Sequence, residues 1–496
     1  MTTTEENRIP ETVKTIHLIA VCGTAMGALA SLLKEKGFEV TGSDQKVYPP
    51  MSTFLMKNGI VVAEGYSEKN LSYRPDLVVV GNAVTKTNPE AVAMQDMGLC
   101  YCSMPQAINH FLVANKKPIL ITGTHGKTTT SSIITWILES AGLDPSFIIG
   151  GILKNYDSNY RLGKGEYIVI EGDEYDTAFF DKGPKFLHYD PHATVITGIE
   201  FDHADIFTDL NHVIQAFRTL ISRLSASSSL IAFAEDENVM QLLSNRNGRV
   251  LTYGKSKNAD WRLQDIKLNS SISFFKVFFG DQFFGEFQTS LMGKHNLLNS
   301  LAAIAIAYQL GINSEEIQKA LKTFQGVKRR QEIRGITNGI TVMDDFAHHP
   351  TAVKETIRAV KERYRESRLI AVFEPRTNTS MRNVFQGIYP LSFDMADLIC
   401  IRKPPLLEKI PPNVRFSSEK LVQDLKIRGK DARYFEDTES IINFLIEKAE
   451  SGDIVLIMSN GGFDHIHEKL LTGLNKAIIR VCEDARKGQP QRPYND

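Results

Sequence analysis

Gly123-Thr124-His125-Gly126-Lys127-Thr128-Thr129-Thr130 has the residue types and spacing to hold phosphate. Small residues let backbone N–H groups approach phosphate oxygens, and the start of a following helix adds partial positive charge. The usual phosphate loop has four residues between its glycines; this one is shorter, with only Thr124 and His125 there. Lys127 is placed to set a point charge on β/γ-phosphates, and Thr128 to offer a hydroxyl to Mg2+. The competing interpretation is a chance Gly-Lys-Thr turn. Phosphate-bound Mg2+ needs further hard oxygen ligands, and a strand-end carboxylate is the usual source. Glu171 ends an apolar run at 167–170 and opens an acidic cluster with Asp173, Glu174 and Asp176. A buried strand would deliver Glu171 to a metal; a solvated acidic loop is the alternative, preferred for Asp176. His203, in Glu200-Phe201-Asp202-His203, is a second candidate ligand. A lone histidine is more often structural.

The elements that must position these residues alternate strand and helix signals. Residues 16–21 read as a strand, 26–35 as a helix stopped by Gly37, and 38–41 and 76–80 as further strands. A polar connector at 114–118 precedes a strand at 119–122, which leads into the phosphate loop. Strands follow at 167–171 and 194–197, a hairpin turning at Gly280-Asp281, and a helix at 296–310. Asn338-Gly339 is a second hairpin cue. Beyond it come a helix from Thr351, strands at 369–373, 398–401 and 454–458, and a helix at 439–449. Buried strands separated by helices predict parallel sheets in an α/β chain. We expect three domains, 1–115, 116–335 and 336–496. The first and last are Rossmann-like; the central one is a P-loop ATPase domain with a mixed, mainly parallel sheet.

Length agrees, since 496 residues at roughly 150 per domain make about three. Fifty-seven basic and 58 acidic residues exclude a general basic coat for nucleic acid. Apolar residues at 42% exclude wholesale disorder. Cys22, Cys100, Cys102, Cys400 and Cys482 show no zinc spacing and read as reduced thiols. Met1 to Lys14 is too polar for a signal peptide,. No apolar run reaches the roughly 18 residues of a membrane span; the nearest, 297–310, contains Asn299, Ser300 and Gln309. The cytoplasm is expected, with no membrane or nucleic-acid partner. Nothing indicates an oligomeric state. The tail after Lys487 is expected to fray.

Over essentially its whole length the chain resembles the ATP-dependent Mur ligases of peptidoglycan synthesis. The resemblance is carried by five motifs in order: the short phosphate loop, Glu171 with His203, His295-Asn296-Leu297-Leu298-Asn299, Arg329-Arg330, and Asp344-Asp345-Phe346-Ala347-His348-His349-Pro350. It is nearest the branch that uses UDP-N-acetylmuramate. Within that branch one activity joins L-alanine and another joins the tripeptide L-alanyl-γ-D-glutamyl-meso-diaminopimelate, as in peptidoglycan recycling. The second is favoured by Val47-Tyr48-Pro49-Pro50-Met51-Ser52-Thr53, by Cys22-Gly23-Thr24, by Glu374-Pro375-Arg376-Thr377-Asn378-Thr379 and by Ser459-Asn460-Gly461-Gly462-Phe463. Alanine-joining members carry two further arginines, where this chain has Thr377 and Ser380. Two departures stand out. Ala20 replaces the usual first glycine of the opening loop, and Phe217 falls where several members carry a carbamylated lysine.

The resemblance implies a distribution of roles. ATP, the co-substrate, would meet Gly123, Thr124, His125, Gly126, Lys127, Thr128 and Thr129, Asn296 and Asn299 on its adenine side, and Arg330 and Asp345. Lys127, Glu171, His203 and Arg330 would be catalytic, with Thr128, Glu171 and His203 holding Mg2+. UDP-N-acetylmuramate would meet Gly23, Thr24, Met26, Gly27, Ser43, Asp44 and Asn82 in the first domain. The peptide would meet Arg376, Asn378, Thr379, His348 and Asn460 in the last. Arg376 is a carboxylate clamp or an interdomain salt bridge; His348 or His349 removes a proton from the amine, or serves structure or metal. The implied reaction passes through an acyl phosphate, so the third domain is expected to close over the first two and exclude water. An L-alanine ligase and a non-enzymatic nucleotide sensor are the rival interpretations.

Overall fold

The computed structural model describes residues 6–48, 51–244, 246, 248–269 and 271–487. Pro49, Pro50 and the tail beyond Lys487 lie outside the described residues, as does the side chain of Cys482. The chain forms three large sheets.

The first is wholly parallel, in the order Val61–Glu64, Glu39–Asp44, Thr15–Ile19, Leu77–Val80, Tyr101–Ser103. Thr15–Ile19 lies where the strand order reverses, and ligands of such sheets bind outside the carboxyl end at that point. The chain leaves there through Ala20, at φ +65°, and enters helix Thr24–Glu35. A left-handed backbone favours glycine, which accounts for the usual glycine where this chain has Ala20.

The second sheet has ten strands. Its parallel part runs Ser146–Leu153, Tyr167–Glu171, Lys117–Thr122, Ala193–Ile196, Ser229–Phe233, Val250–Gly254. Trp261–Leu268, Ser273–Phe279 and Gln282–Thr289 extend one edge, the last two as the hairpin expected at Gly280-Asp281. Ser158–Arg161 closes the other edge, antiparallel to Ser146–Leu153. Lys117–Thr122 thus lies between the strands that deliver Glu171 and the 197–205 loop. Helix Lys294–Gln309 is buried along most of its length and packs on helix Lys127–Ser140.

The third sheet runs Glu332–Thr337, Ile340–Asp345, Ile454–Met458, Leu369–Phe373, Leu398–Arg402, Asp431–Phe435. Only its first pair is antiparallel, joined by the hairpin at Asn338 (φ +57°) and Gly339 (φ +73°). Glu332–Thr337 belongs to this sheet, although the expected division at 335/336 runs through it. Phe217 lies in helix Leu210–Arg223, fully buried, its ring 5.1 Å from that of Phe186. Among the described residues no helix is long and apolar enough to cross a membrane.

Candidate active site

Strand Lys117–Thr122 ends in Gly123 at φ +122°, and Gly126 at φ +80° opens helix Lys127–Ser140. Both glycines are required twice over. A left-handed backbone disfavours side chains, and a Cβ would strike Thr197 at Gly123 and Asn299 at Gly126. The loop is tied to the neighbouring strand end. The Thr124 amide donates to the Gly198 carbonyl at 2.9 Å, and the Glu200 amide to the Thr124 hydroxyl at 2.8 Å.

Three side chains of the expected catalytic set converge on this loop. Lys127 Nζ donates to Gly123 O at 2.6 Å and to both carboxylate oxygens of Glu174, at 3.0 and 2.8 Å. Glu171 accepts from the Thr128 hydroxyl at 3.0 Å and the Gly150 amide at 2.7 Å. Arg330 reaches the same hydroxyl at 3.3 Å. Its guanidinium lies 4.9 Å from the centre of the Phe346 ring, a cation–π distance. Burial pushes the Glu171 carboxyl up, against the Gly150 amide and Lys127. Burial would lower Lys127, but Glu174, Asp173 and Glu171 raise it on balance.

The fourth, His203, does not meet Glu171. Its backbone is left-handed, at φ +55°. Its Nε2 lies 3.2 Å from Glu174 Oε1, and Tyr175 covers its ring at 4.0 Å. His203 groups instead with Asp173 and Glu174, three side chains whose ligand atoms lie within 4.8 Å of one another. Glu174, 3% exposed, is the member of the acidic cluster that meets both Lys127 and His203, contacts its sequence position alone did not reveal. Thr128 and Glu171 do fit Mg2+: a hydroxyl and a half-buried carboxylate, both hard oxygens, side by side at the phosphate loop,.

Three further ATP candidates, Asn296, Asn299 and Asp345, form one buried patch. Asn299 donates to Asn296 at 3.1 Å, and Asn296 to Gln331 at 3.2 Å. Asp345 accepts from the Gln331 and Ala347 amides, both at 2.8 Å. This patch fixes the crossing from the central sheet to the last one.

The UDP-sugar candidates divide. Gly23 caps helix Thr24–Glu35, and Asp44 accepts from the Cys22 amide at 2.9 Å. Asn82 is exposed beyond strand Leu77–Val80. Gly27 allows close packing, since a Cβ would come 2.5 Å from the end of the Met51 side chain. Two candidates face inward. Met26 is buried in the core, and the Ser43 hydroxyl donates to buried Glu90 at 2.9 Å. Glu90 also accepts from Asn70 at 2.9 Å and pairs with His17 at 2.7 Å, so Ser43 serves a buried polar network.

Of the peptide candidates, Asn378 and Thr379 are engaged across the domain boundary. Asn378 donates to Asp205 at 2.8 Å, and Thr379 Oγ1 accepts from the Ala204 amide at 3.0 Å. Among the described residues Arg376 makes no interdomain bridge. Its ionic partner is Glu374, at 3.6 Å, two residues away in the same sheet body. The Arg376 side chain lies over Gly461, where a Cβ would collide with it. Asn460 Oδ1 is shielded and makes no hydrogen bond among the described residues.

The two histidines differ sharply. His349 Nδ1 accepts from the Thr351 amide at 3.2 Å, capping helix Pro350–Arg363. Its Nε2 lies 3.2 Å from Phe201 O. A carbonyl only accepts, so Nε2 carries the proton and both nitrogens are committed. His348 Nδ1 lies 3.0 Å from Phe346 O, which leaves Nε2 as its basic atom, 3.8 Å from Asp202.

A strand–phosphate loop–helix unit flanked by a strand-end acid, and reached by an arginine from just ahead of the next sheet, defines a nucleotide-dependent phosphoryl-handling site. Family models narrow it further. The Mur ligase family catalytic domain matches residues 15–116, the Mur ligase middle domain 121–307, and the Mur ligase glutamate ligase domain 329–461. The chain belongs to the Mur ligase family. The UDP-N-acetylmuramate--L-alanyl-gamma-D-glutamyl-meso-2,6-diaminoheptandioate ligase of Escherichia coli is 40% identical over 93% of this chain and 98% of its own length. The UDP-N-acetylmuramate--L-alanine ligase of Caldanaerobacter subterraneus is 33% identical over 93% and 98%. The murein peptide ligase of Psychrobacter arcticus superposes with a TM-score of 0.71 at 34% identity, covering 93% of this chain and 99% of that one.

Proposed function

We propose that this protein is an ATP-dependent amide ligase that joins UDP-N-acetylmuramate to the tripeptide L-alanyl-γ-D-glutamyl-meso-diaminopimelate. The geometry that carries the ligase assignment is the convergence of Lys127, Thr128 and Glu171 with Arg330, which arrives from the next domain. The amine is chosen by likeness. The tripeptide ligase of E. coli matches at 40% identity against 33% for an alanine ligase of similar coverage, and the 374–379 segment agrees. The tripeptide would come from peptidoglycan recycling, and the cytoplasm, where ATP is supplied, is the proposed location.

The lactyl carboxylate of the muramate attacks the γ-phosphorus of ATP and ADP leaves, giving an acyl phosphate. The tripeptide amine attacks the activated carbonyl, phosphate departs, and an amide remains. Lys127 and Arg330 neutralise charge on the transferring phosphoryl group. Thr128 and Glu171, with His203 as a further candidate, would hold the Mg2+ that supplies additional charge neutralisation when bound. The amine must lose a proton to attack. With both nitrogens of His349 committed, His348 Nε2 is the acceptor we assign.

The docked C-terminal domain supports water exclusion during the acyl-phosphate stage. ADP release measured with UDP-N-acetylmuramate and either the tripeptide or L-alanine tests the proposal. Turnover with the tripeptide and little with L-alanine is expected. The reverse would establish an alanine ligase.

A further inference from the structure

The chemistry above gives Glu174 no task, yet it holds the most constrained position in the site. Its side chain is 3% exposed, and that of Lys127 is 13% exposed. Glu171 and Glu174 emerge from the same strand end but take different partners. Glu171 is bonded to the Thr128 hydroxyl and the Gly150 amide. Glu174 receives Lys127 with both oxygens, at 2.8 and 3.0 Å, and places Oε1 3.2 Å from His203 Nε2. A lysine ammonium has three donors. Here one is used on Gly123 O at 2.6 Å, and Glu174 takes up the charge that a phosphate loop directs at β/γ-phosphates.

We propose that Glu174 is the resident counter-ion of Lys127, standing in for the terminal phosphates of ATP, and that nucleotide binding exchanges phosphate for this carboxylate while His203 keeps hold of it. Two physical constraints lead there. A buried ammonium without a counter-ion is costly, so the empty site needs one. A triphosphate approaching Glu171, Asp173 and Glu174 is repelled, so the ion pair must open as the phosphates arrive. Glu174 therefore penalises nucleotide that comes without a divalent cation. By recapturing Lys127 after turnover, it also hastens phosphate release. Glu174 is thus a positioning residue that acts through Lys127. The inference rests on the ATP-binding half of the proposed function and not on which amine is joined.

Calorimetric titration with β,γ-methylene-ATP, in EDTA and in Mg2+, tests it on the full-length parent, Glu174→Gln and Glu174→Asp. Glu174→Gln should bind the metal-free analogue about tenfold more tightly, equivalent to about 1.4 kcal/mol, and gain less from Mg2+ than the parent. In turnover its KM for ATP and its kcat should fall together. Glu174→Asp keeps the charge on a shorter stem and should tighten metal-free binding about threefold; it decides alone if the Gln variant does not fold. A merely structural glutamate would weaken binding when replaced. Unchanged or weaker metal-free binding overturns the proposal. So does a loss confined to Mg2+-dependent affinity, which would make Glu174 a metal ligand. A parent that fails to bind the analogue even with Mg2+ would overturn the ATP assignment itself.

Discussion

Lys127 draws acceptors from two segments, the loop carbonyls of Gly123 and Thr124 and the Glu174 carboxylate. Removing its charge should cost far more in the transition state than in the ground state, because charge moves onto the transferring phosphoryl oxygens. Lys127→Ala should lower the rate of ADP release by about 10²–10³-fold, or about 3–4 kcal/mol, while far-UV dichroism stays that of the parent. Near-parental turnover would remove Lys127 from the chemistry. The role of Lys127 is legible from sequence because its geometry is local: strand, two glycines and helix fix it within ten residues. Glu171 is legible for a similar reason, as the last residue of a buried strand. Glu174 is not, since its meaning depends on His203 arriving from another strand end. Ser43 and Thr379 fail in the opposite direction. Ser43 near a strand end and Thr379 in a loop both look ligand-facing in one dimension, and both hydroxyls are used by neighbouring elements, Glu90 and the Ala204 amide.

At the scale of elements, function sits at the carboxyl ends of parallel strands. Leu369–Phe373 delivers Arg376 and the adjacent Ile454–Met458 delivers Gly461, so the arginine of one loop rests on the glycine of the next. Arg376 is about one-third exposed, and its one ion pair among the described residues is a long one to Glu374, which Arg402 also engages. Its guanidinium therefore has donors to spare for a carboxylate of the peptide. Arg376→Ala should raise the KM for the tripeptide roughly 10- to 100-fold, about 1.4–2.8 kcal/mol, with the KM values for ATP and UDP-N-acetylmuramate nearly fixed. Gly461→Ala leaves the guanidinium intact but pushes it off its platform, and should shift the same constant by roughly 3- to 10-fold. Parallel shifts in all three constants would instead make Arg376 a structural strut. Buried strands such as 77–80, 167–171 and 369–373 are readable because both faces are covered and the apolar run is continuous. Val61–Glu64 is not, since it lies at a sheet edge with Val61 72% exposed. Helix Leu210–Arg223 could have been found. Asp209 caps it, and Val213, Phe217, Leu220 and Ile221 recur at helical spacing on its buried face,.

For the whole molecule, the decisive seam joins the 200–205 loop of the central domain to the last one. Glu200 accepts from the Thr351 hydroxyl at 2.7 Å, and Phe201 O faces His349 Nε2 at 3.2 Å. The Ala204 amide meets Thr379 at 3.0 Å and Asp205 meets Asn378 at 2.8 Å. This run brackets His203, which therefore lies at the seam between the two domains. The seam is acid-sensitive. Burial, reinforced by the nearby His125, pushes His349 down to about 4 from an ordinary 6.5. Burial alone would raise Glu200, but His125, with Nε2 3.5 Å away, then Thr351 and His349, bring it down to about 2 from 4.5. The folded state thus refuses a proton on His349 that the unfolded chain accepts below 6.5. That contribution is complete above pH 6.5 and is lost as pH falls from 6.5 to 4. The Glu200 contribution is complete above 4.5 and is lost from 4.5 towards 2. Both lower stability in acid, His349 first. His295 and His467, also pushed down to about 4 by burial, add to the loss between 6.5 and 4. His349→Asn keeps an acceptor that can cap Thr351 but removes the titration. Its melting temperature should fall less than the parent's between pH 7 and pH 4.5, because one of the downshifted histidine titrations has been deleted. Hydrogen exchange of the Ala204 amide should accelerate on acidification in the parent more than in the variant. Identical pH slopes in both proteins would show that the seam is held by its hydroxyl and amide bonds alone.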